Sequence, residues 1–384
     1  MNMDEDESTN VIPSNNVCQY YLPNEFNEKY GKTSQALSVL HTNVRSISKN
    51  FDALSTMLHT ISHEFSVIGL TETWLNVNSP NCYNIPNYTF LHADRKIGKG
   101  GGVALYISTA FSCRVRSDIT LQESAESLFI EIENNKIKND IIGIVYRPPD
   151  SHVDDFIVNV DNTLSKLNDE NKRIIIMGDF NIDVLANETK SRSFQNVLLA
   201  NAFKLLINKP TRITSQTSTL IDNFIFNSNT TGEKTGIIYC DVSDHLPIFA
   251  ILPSSYTSPV SRNNNILSVR DFSPQNIIKL NSDLNSEPWD DVFTNENVEN
   301  AYSQFMNKFR YYLNKNVPCI NKRLKKRKIK KPWVTKGILK SIKTRNKLYK
   351  CSLRSPTLEN IQKYKTYRNL LTTLIRNSKK DYYH

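Results

Sequence analysis

Apolar residues in this chain recur in two rhythms, and their order along the sequence sets the expected architecture. From Leu37 the pattern alternates through Val39 and His41 to Asn43, which predicts a strand that ends on polar residues. Phe51, Leu54, Leu58 and Ile61 then recur at helical spacing, and Phe65 to Leu70 returns to a buried strand that ends at Glu72. A strand, a helix and a strand in such quick succession predict a βαβ-like opening. Further strands are predicted at Val103 to Ser108, Leu128 to Glu133, Ile141 to Tyr146, Ile174 to Met177, Ile221 to Phe226, Gly236 to Tyr239 and Pro247 to Leu252. Helical patterns run from Val153 to Leu167 and from Ser193 to Phe203. Many strands with few, well-separated helices imply an α/β fold of two packed sheets flanked by helices. Gly100-Gly101-Gly102 lacks the GxGxxG spacing and opens no helix, so it reads as a tight turn rather than a phosphate cradle.

Composition divides the chain. Residues 1–34 are expected to form a polar, acidic tail without order, and 35–253 the main domain. A Ser-, Pro- and Asn-rich linker follows at 254–270, then a partly helical connector at 271–321 and a basic, mostly helical tail at 322–384. The overall charge of +10 hides an asymmetry, because residues 321–384 hold 21 Lys+Arg against 2 Asp+Glu, leaving the rest of the chain acidic. The tail is therefore the part expected to meet a polyanion, DNA or RNA. Within it the run from Lys322 to Lys331 is dense enough to serve equally as a nuclear import signal.

The longest apolar stretches are strand-sized and far short of a bilayer span, so no membrane association is expected. Asp4, Glu5, Asp6 and Glu7 give the N-terminus the opposite character to a secretory signal. The six cysteines, at 18, 82, 113, 240, 319 and 351, form no CxxC pair, which argues against a zinc site or a disulfide framework. Together these features predict an intracellular protein, nuclear or cytoplasmic, with reduced thiols.

Polar residues stand where several of the predicted strands end, and their types suit phosphodiester chemistry. Glu72, at the end of a buried run, is the strongest candidate ligand for a hard divalent ion such as Mg²⁺, which needs oxygen donors. Asp179 and Asn181, two residues apart just beyond the apolar strand Ile174 to Met177, can point into one crevice as base and water-orienting amide. His245 follows Asp244, and Asp222 is available to fix its tautomer. Glycine, aspartate and asparagine also make ordinary turns, but turn chemistry alone does not explain the repeated placement of such residues at strand ends.

These residues carry a resemblance. The ordered series Asn43 in His-Thr-Asn-Val-Arg-Ser, Glu72 in Leu-Thr-Glu-Thr-Trp-Leu, Tyr146 in Val-Tyr-Arg-Pro-Pro, Gly178-Asp179-Phe180-Asn181, Asp222 in Leu-Ile-Asp-Asn-Phe and Ser243-Asp244-His245 resembles the endonuclease/exonuclease/phosphatase superfamily. Its wording is most similar to the endonuclease of LINE-type, jockey-like non-LTR retrotransposons. The resemblance implies a four-layer α/β sandwich with the site at one edge of the two sheets. It also implies a metal held by Glu72 with Asn43 and Asp244, and Mg²⁺ as cofactor, with Mn²⁺ able to substitute. Asp179 would be the base, Asn181 would position water and phosphate, Tyr146 and His245 would contact the phosphate, and Asp222 would hold His245. Arg45 stands where many members of the superfamily carry Asp or Asn; a cation there cannot ligate Mg²⁺, and it joins Ser243, Thr211 and Arg212 as a candidate phosphate or DNA contact.

The leading expectation is a DNA endonuclease that nicks duplex DNA and leaves a 3′-hydroxyl for target-primed reverse transcription. No Tyr/Phe-x-Asp-Asp polymerase core is present, so the reverse transcriptase is expected to be missing. The alternatives are an abasic-site repair endonuclease, a phosphatase of small phosphoesters, and an inactive nucleic-acid-binding remnant. Removing residues 322–384 is expected to weaken DNA affinity with little change in the chemical step.

Overall fold

A computed structural model of the chain describes residues 18–31, 36–76, 79, 83–95, 98, 100–121, 124–133, 138–227, 232–253, 266–323 and 332–383. It opens with β1 (Gln19–Tyr21), α1 (Pro23–Tyr30), β2 (Ser38–Asn43), α2 (Ile47–Thr60), β3 (Val67–Thr71), β4 (Tyr88–Ala93) and β5 (Val103–Ser108). Next come β6 (Cys113–Val115), β7 (Glu126–Ile132), β8 (Asp140–Tyr146), α3 (Val153–Asn168), β9 (Arg173–Asp179) and α4 (Thr189–Ala200). Short strands β10 (Lys204–Leu205), β11 (Arg212–Ile213) and β12 (Ser218–Thr219) lead to β13 (Asp222–Phe226), β14 (Lys234–Ile238) and β15 (Ile248–Ile251). The remainder comprises β16 (Ile266–Arg270), α5 (Pro274–Ser286), α6 (Asp290–Phe293), α7 (Val298–Asn316), β17 (Cys319–Arg323), α8 (Lys336–Arg354) and α9 (Leu358–Tyr383).

Two mixed sheets form the body. One has the order β1-β14-β15-β2-β3-β5-β4 and the other β10-β13-β9-β8-β7-β6. Strands β2 and β3 are parallel, joined by α2, so the βαβ opening is present. Alternation decides which side chains meet between the sheets. Val39, Val67 and Leu105 from the first sheet join Ile130, Ile142, Ile175 and Met177 from the second in one core, while Leu40, Ile68 and Phe249 turn outward against α1 and α2. Helices α3 and α4 cover the second sheet through Phe156, Val160, Leu164, Phe194 and Leu198. The result is the helix-sheet-sheet-helix arrangement expected of a four-layer α/β sandwich.

Several boundaries differ from expectation. The expected N-terminal tail contains regular structure, because β1 pairs in parallel with β14 and α1 buries Phe26 and Tyr30, while residues 1–17 and 32–35 lie outside the described residues. The Phe26 ring stands edge-on to Phe249 at 4.8 Å, so this segment closes the outer face of the first sheet. Strand β4 escaped the sequence pattern because, as an edge strand, it alternates only weakly between half-buried and exposed positions. Helix α4 starts at Thr189, ahead of the apolar residues that mark it in the sequence.

Residues 259–328 make a second compact unit, in which β16 and β17 pair antiparallel and α5, α6 and α7 pack together. Strand β16 therefore lies inside the expected linker, and most of the Lys322 to Lys331 run lies outside the described residues. Among the described residues no helix is long and apolar enough to cross a membrane.

The basic tail departs most from expectation, since α8 and α9 form a hairpin that belongs to the same compact unit as the nuclease-like body. Ile338, Ile342, Tyr349 and Ser352 lie on the buried face of α8, and Tyr349 and Tyr364, with rings 5.0 Å apart, join the main core. Ion pairs Lys350–Glu25 at 3.3 Å and Lys379–Asp52 at 2.8 Å tie the hairpin to α1 and α2. Removing residues 332–384 is accordingly expected to strip cover from the core and lower the melting temperature by several degrees or more, at about 3–5 kcal/mol for each large aromatic lost. Unchanged thermal unfolding of the truncated protein would contradict this packing. Beyond the role in affinity expected of it, the tail therefore also takes part in packing.

Candidate active site

Strand register brings the candidate residues to one edge of the sandwich. On the second sheet Tyr146 of β8 pairs with Asp179 of β9, and Asp179 pairs with Asp222 of β13, so the three occupy one row across adjacent strands. On the first sheet Asn43 ends β2, and Glu72 directly follows β3. The loop before β15 supplies Ser243, Asp244 and His245, and His245 forms an isolated bridge with Arg212.

Asn43 joins the two sheets. Its Nδ2 donates to Glu72 Oε1 at 2.8 Å and to Asp179 Oδ2 at 2.9 Å, and its Oδ1 accepts from the Arg45 backbone N–H at 3.0 Å. Because carboxylates only accept and an N–H only donates, the amide has one orientation that satisfies all three partners. Ser243 Oγ donates to the Asn43 carbonyl at 2.5 Å and accepts from the His245 backbone N–H at 3.1 Å, which couples the histidine loop to β2.

Asp179, Asp222 and His245 are buried and close together. His245 Nδ1 donates to Asp222 Oδ2 at 2.9 Å and stands 3.8 Å from Asp179 Oδ2. Thr211 Oγ1 donates to the same Asp222 oxygen at 2.7 Å. Burial and then the Asp222 charge push the Asp179 carboxyl up to about 7. Burial opposes charge on His245, yet Asp222 and Asp179 outweigh it and lift the imidazole to about 9. Burial likewise works against the Asp222 carboxylate, but His245, His41 and Thr211 hold it below the usual range. At neutral pH the site thus contains an imidazolium clamped by one carboxylate beside a second carboxyl poised to exchange a proton.

This arrangement has a signature in stability. A His245 pKa raised above the unfolded value adds stability that is complete below the unfolded pKa of roughly 6.5 and disappears as pH rises through about 9. In the presence of chelator, the melting temperature is expected to fall between pH 7 and pH 9.5, with a smaller fall in His245→Gln. Identical slopes in both proteins would show that the imidazolium is not held in this way.

The other candidates fall into place around this centre. Burial, with Glu72 and Asp179 nearby, raises the pKa of the buried Tyr146, and the Arg95 guanidinium lies over its ring at 5.8 Å. Asn181 donates through Nδ2 to the Arg147 carbonyl at 2.7 Å, with φ of 50°. Asp244 Oδ2 is shared by Arg212, through Nη2 at 2.9 Å, and by Arg45, through Nη1 at 3.2 Å. Arg45 and Arg212 thus sit beside the loop of Ser243 to His245 and engage the Asp244 carboxylate.

Sequence reasoning missed three supports. Arg147, inside the Tyr-Arg-Pro-Pro motif, is buried and donates to the carbonyls of Phe180, Asn181, Pro148 and Ser151, which fixes the turn carrying Asp179 and Asn181. His41 is buried with Nδ1 3.8 Å from Asp222 Oδ1, and the alternation through Val39, His41 and Asn43 already placed it on the inner face. The triple glycine grips the Glu72 loop, since the Gly102 and Gly101 carbonyls accept from Thr73 N at 3.1 Å and Trp74 N at 2.8 Å. At Gly102, φ is 82° and an added Cβ would strike Thr73, so only glycine fits.

Two groups suit a hard divalent cation. Glu72 is half-buried and has no Lys or Arg ion-pair partner among the described residues, and Asp244 Oδ1 is buried without a hydrogen-bond donor. Asp179, Asp222 and His245 also approach one another within 4.8 Å. Their Nδ1–Oδ2 hydrogen bond directs the lone pairs and proton of that trio at each other, which suits proton handling better than metal ligation.

Comparison with known proteins finds several solved structures and one family model that are similar to part of this chain. The structure is similar to the endonuclease domain of TRAS1, a telomere-specific non-LTR retrotransposon, at 12% identity and a TM-score of 0.46, covering 57% of this chain and 99% of that one. It is similar to the AP endonuclease LMAP from Leishmania major at 16% identity and 0.46, covering 57% and 89%. The Xenopus laevis APE2 catalytic domain is similar at 15% identity and 0.44, covering 56% and 91%. No curated protein matches the sequence. The family model for the endonuclease/exonuclease/phosphatase family matches residues 39–245, the segment that holds every candidate site residue. That segment is more than half of the chain, and this protein belongs to the endonuclease/exonuclease/phosphatase family.

Proposed function

We propose that this protein is a Mg²⁺-dependent DNA endonuclease of a LINE-type retroelement, nicking duplex DNA to leave a 3′-hydroxyl from which a reverse transcriptase primes. The observation that carries the reading is the Asn43 amide, which links Glu72 to Asp179 beside the His245–Asp222 pair. A divalent cation held by Glu72, with Asn43 and Asp244 alongside and Mn²⁺ able to replace Mg²⁺, would neutralise charge building on the phosphate and support the leaving oxygen.

The protein's own residues account for the remaining work. Asp179, raised toward neutrality, takes a proton from the attacking water, which Asn181 helps to orient. His245, kept protonated by Asp222, donates a charged hydrogen bond to a phosphoryl oxygen, and Tyr146 adds a hydroxyl donor. Arg45 and Arg212 exchange part of their hold on Asp244 for the phosphates of the substrate, with Ser243 and Thr211 keeping the loop and Asp222 in position.

The retroelement assignment rests on the Asn-Val-Arg-Ser, Thr-Glu-Thr-Trp and Tyr-Arg-Pro-Pro wording. A repair nuclease acting at abasic sites shares the same chemical groups and differs in substrate. Nicking of intact and abasic duplexes distinguishes them. Comparable rates on both support the proposal, and cleavage confined to abasic sites overturns it in favour of repair.

A further inference from the structure

Helix α8 contains no acidic residue, and six of its seven cations fall on one face. Lys336, Lys340, Lys343, Lys347, Lys350 and Arg354 follow one another in steps of four, three, four, three and four residues. At about 3.6 residues per turn these steps keep all six within an arc of roughly 80°, along a stripe about 27 Å long. The opposite face holds Ile338, Ile342 and Tyr349, buried in the protein, so the helix cannot turn its cations away from solvent. Lys336, Lys340, Lys343 and Lys347 are exposed and make no ion pair among the described residues. Like charges at such spacing repel one another and carry a cost in the isolated protein.

Two features define the anion that would relieve this cost. First, the stripe has a fixed relation to the site. Arg345, on the face of α8 opposite the stripe, donates to the Asp241 carbonyl at 3.5 Å and so anchors the helix to the loop that carries Ser243, Asp244 and His245. Second, the only aromatic residue of α8, Tyr349, is buried, so the exposed face offers charge without a ring on which an unpaired base can stack. Single-stranded nucleic acid is usually gripped through such rings, whereas a duplex presents its phosphates alone at regular intervals.

We infer that the α8 stripe is a phosphate track for duplex DNA, binding one backbone strand of the substrate away from the scissile bond. This rests on the proposal that the site acts on duplex DNA. The stripe belongs to the same compact unit as the candidate site, so substrate alignment and chemistry would share one unit of the fold.

The test is equilibrium binding of the full chain to a duplex of about 30 base pairs over a series of salt concentrations, in chelator so that no cleavage occurs. The variant Lys336→Glu/Lys340→Glu/Lys343→Glu/Lys347→Glu is compared with wild type and with Lys166→Glu/Lys190→Glu, which alters two exposed lysines elsewhere. Each phosphate contact adds roughly 0.9 to the salt slope, so the stripe variant is expected to flatten it by about three and to weaken binding at least tenfold. The control is expected to match wild type, and a single-stranded RNA of equal length is expected to lose much less affinity. A matching set of glutamine substitutions reads the same slope change without introducing repulsion, should the glutamates lower thermal stability. An unaltered slope in both sets, or an equal loss for RNA and duplex, would overturn the inference. Because binding is read without cleavage, absence of nicking by the wild type would count against the proposed activity alone.

Discussion

Asp179→Asn is expected to lower Mg²⁺-dependent nicking on the order of 1,000-fold while leaving the melting temperature unchanged or slightly raised. The two halves of this expectation have one origin. Asp179 is buried, and both burial and the Asp222 carboxylate oppose its ionisation, so its charge is a burden on the folded state. Asparagine preserves the shape and can still accept the hydrogen bond from Asn43 Nδ2, but it cannot take a proton from water. The raised carboxyl adds stability only while protonated, and that stability is lost as pH climbs from the unfolded value of roughly 3.9 through about 7. In the variant this loss is absent, and the difference in melting temperature between the two proteins is expected to be larger at pH 8 than at pH 5. Nicking within tenfold of wild type would remove Asp179 from the chemistry.

Glu72→Gln is expected to lower nicking by about 100-fold or more and to raise the Mg²⁺ concentration needed for half-maximal rate. Glu72 accepts from Asn43 Nδ2 through one oxygen and from Trp74 Nε1 at 3.2 Å through the other. Glutamine retains the side-chain length and one of these acceptors while removing the charge that suits a divalent ion. Since Glu72 is half exposed, little change in thermal stability is expected. A normal rate with an unshifted Mg²⁺ requirement would show that the cation is held elsewhere.

The sheet core was readable because its rhythm is strong. Val39, His41 and Asn43 alternate inward, and the run ending at Asp179 is apolar at every position from Ile174 to Met177, which left little doubt about where the strands stop. The polar residues at those ends were visible for the same reason, since a polar residue closing a buried run needs an explanation. What alternation cannot supply is pairing. The row of Tyr146, Asp179 and Asp222 depends on which strands become neighbours, and the bridge from Asn43 to Asp179 depends on how two sheets stack.

Supports such as Arg147 were hidden because their work is done through backbone carbonyls, which any sequence possesses. Edge elements were hidden by dilution: β1 is three residues long and β4 is half exposed, so neither carries a full period of burial. The C-terminal region is helical and basic as expected, but its charge hid the face by which the hairpin docks. Along α8 the lysines mark one face, while the apolar and aromatic residues that dock the helix occupy the other. Residue counting saw the first, and only the folded chain shows that Tyr349 and Tyr364 belong to the main core.

Conversion of supercoiled plasmid to open circle, with and without chelator and with the new ends mapped, tests the central claim most directly. The account predicts Mg²⁺-dependent nicks bearing 3′-hydroxyls, abolished both by chelator and by Asp179→Asn. Nicking that persists in chelator or in the Asp179 variant, or no nicking by a folded wild-type protein supplied with Mg²⁺ or Mn²⁺, would contradict it.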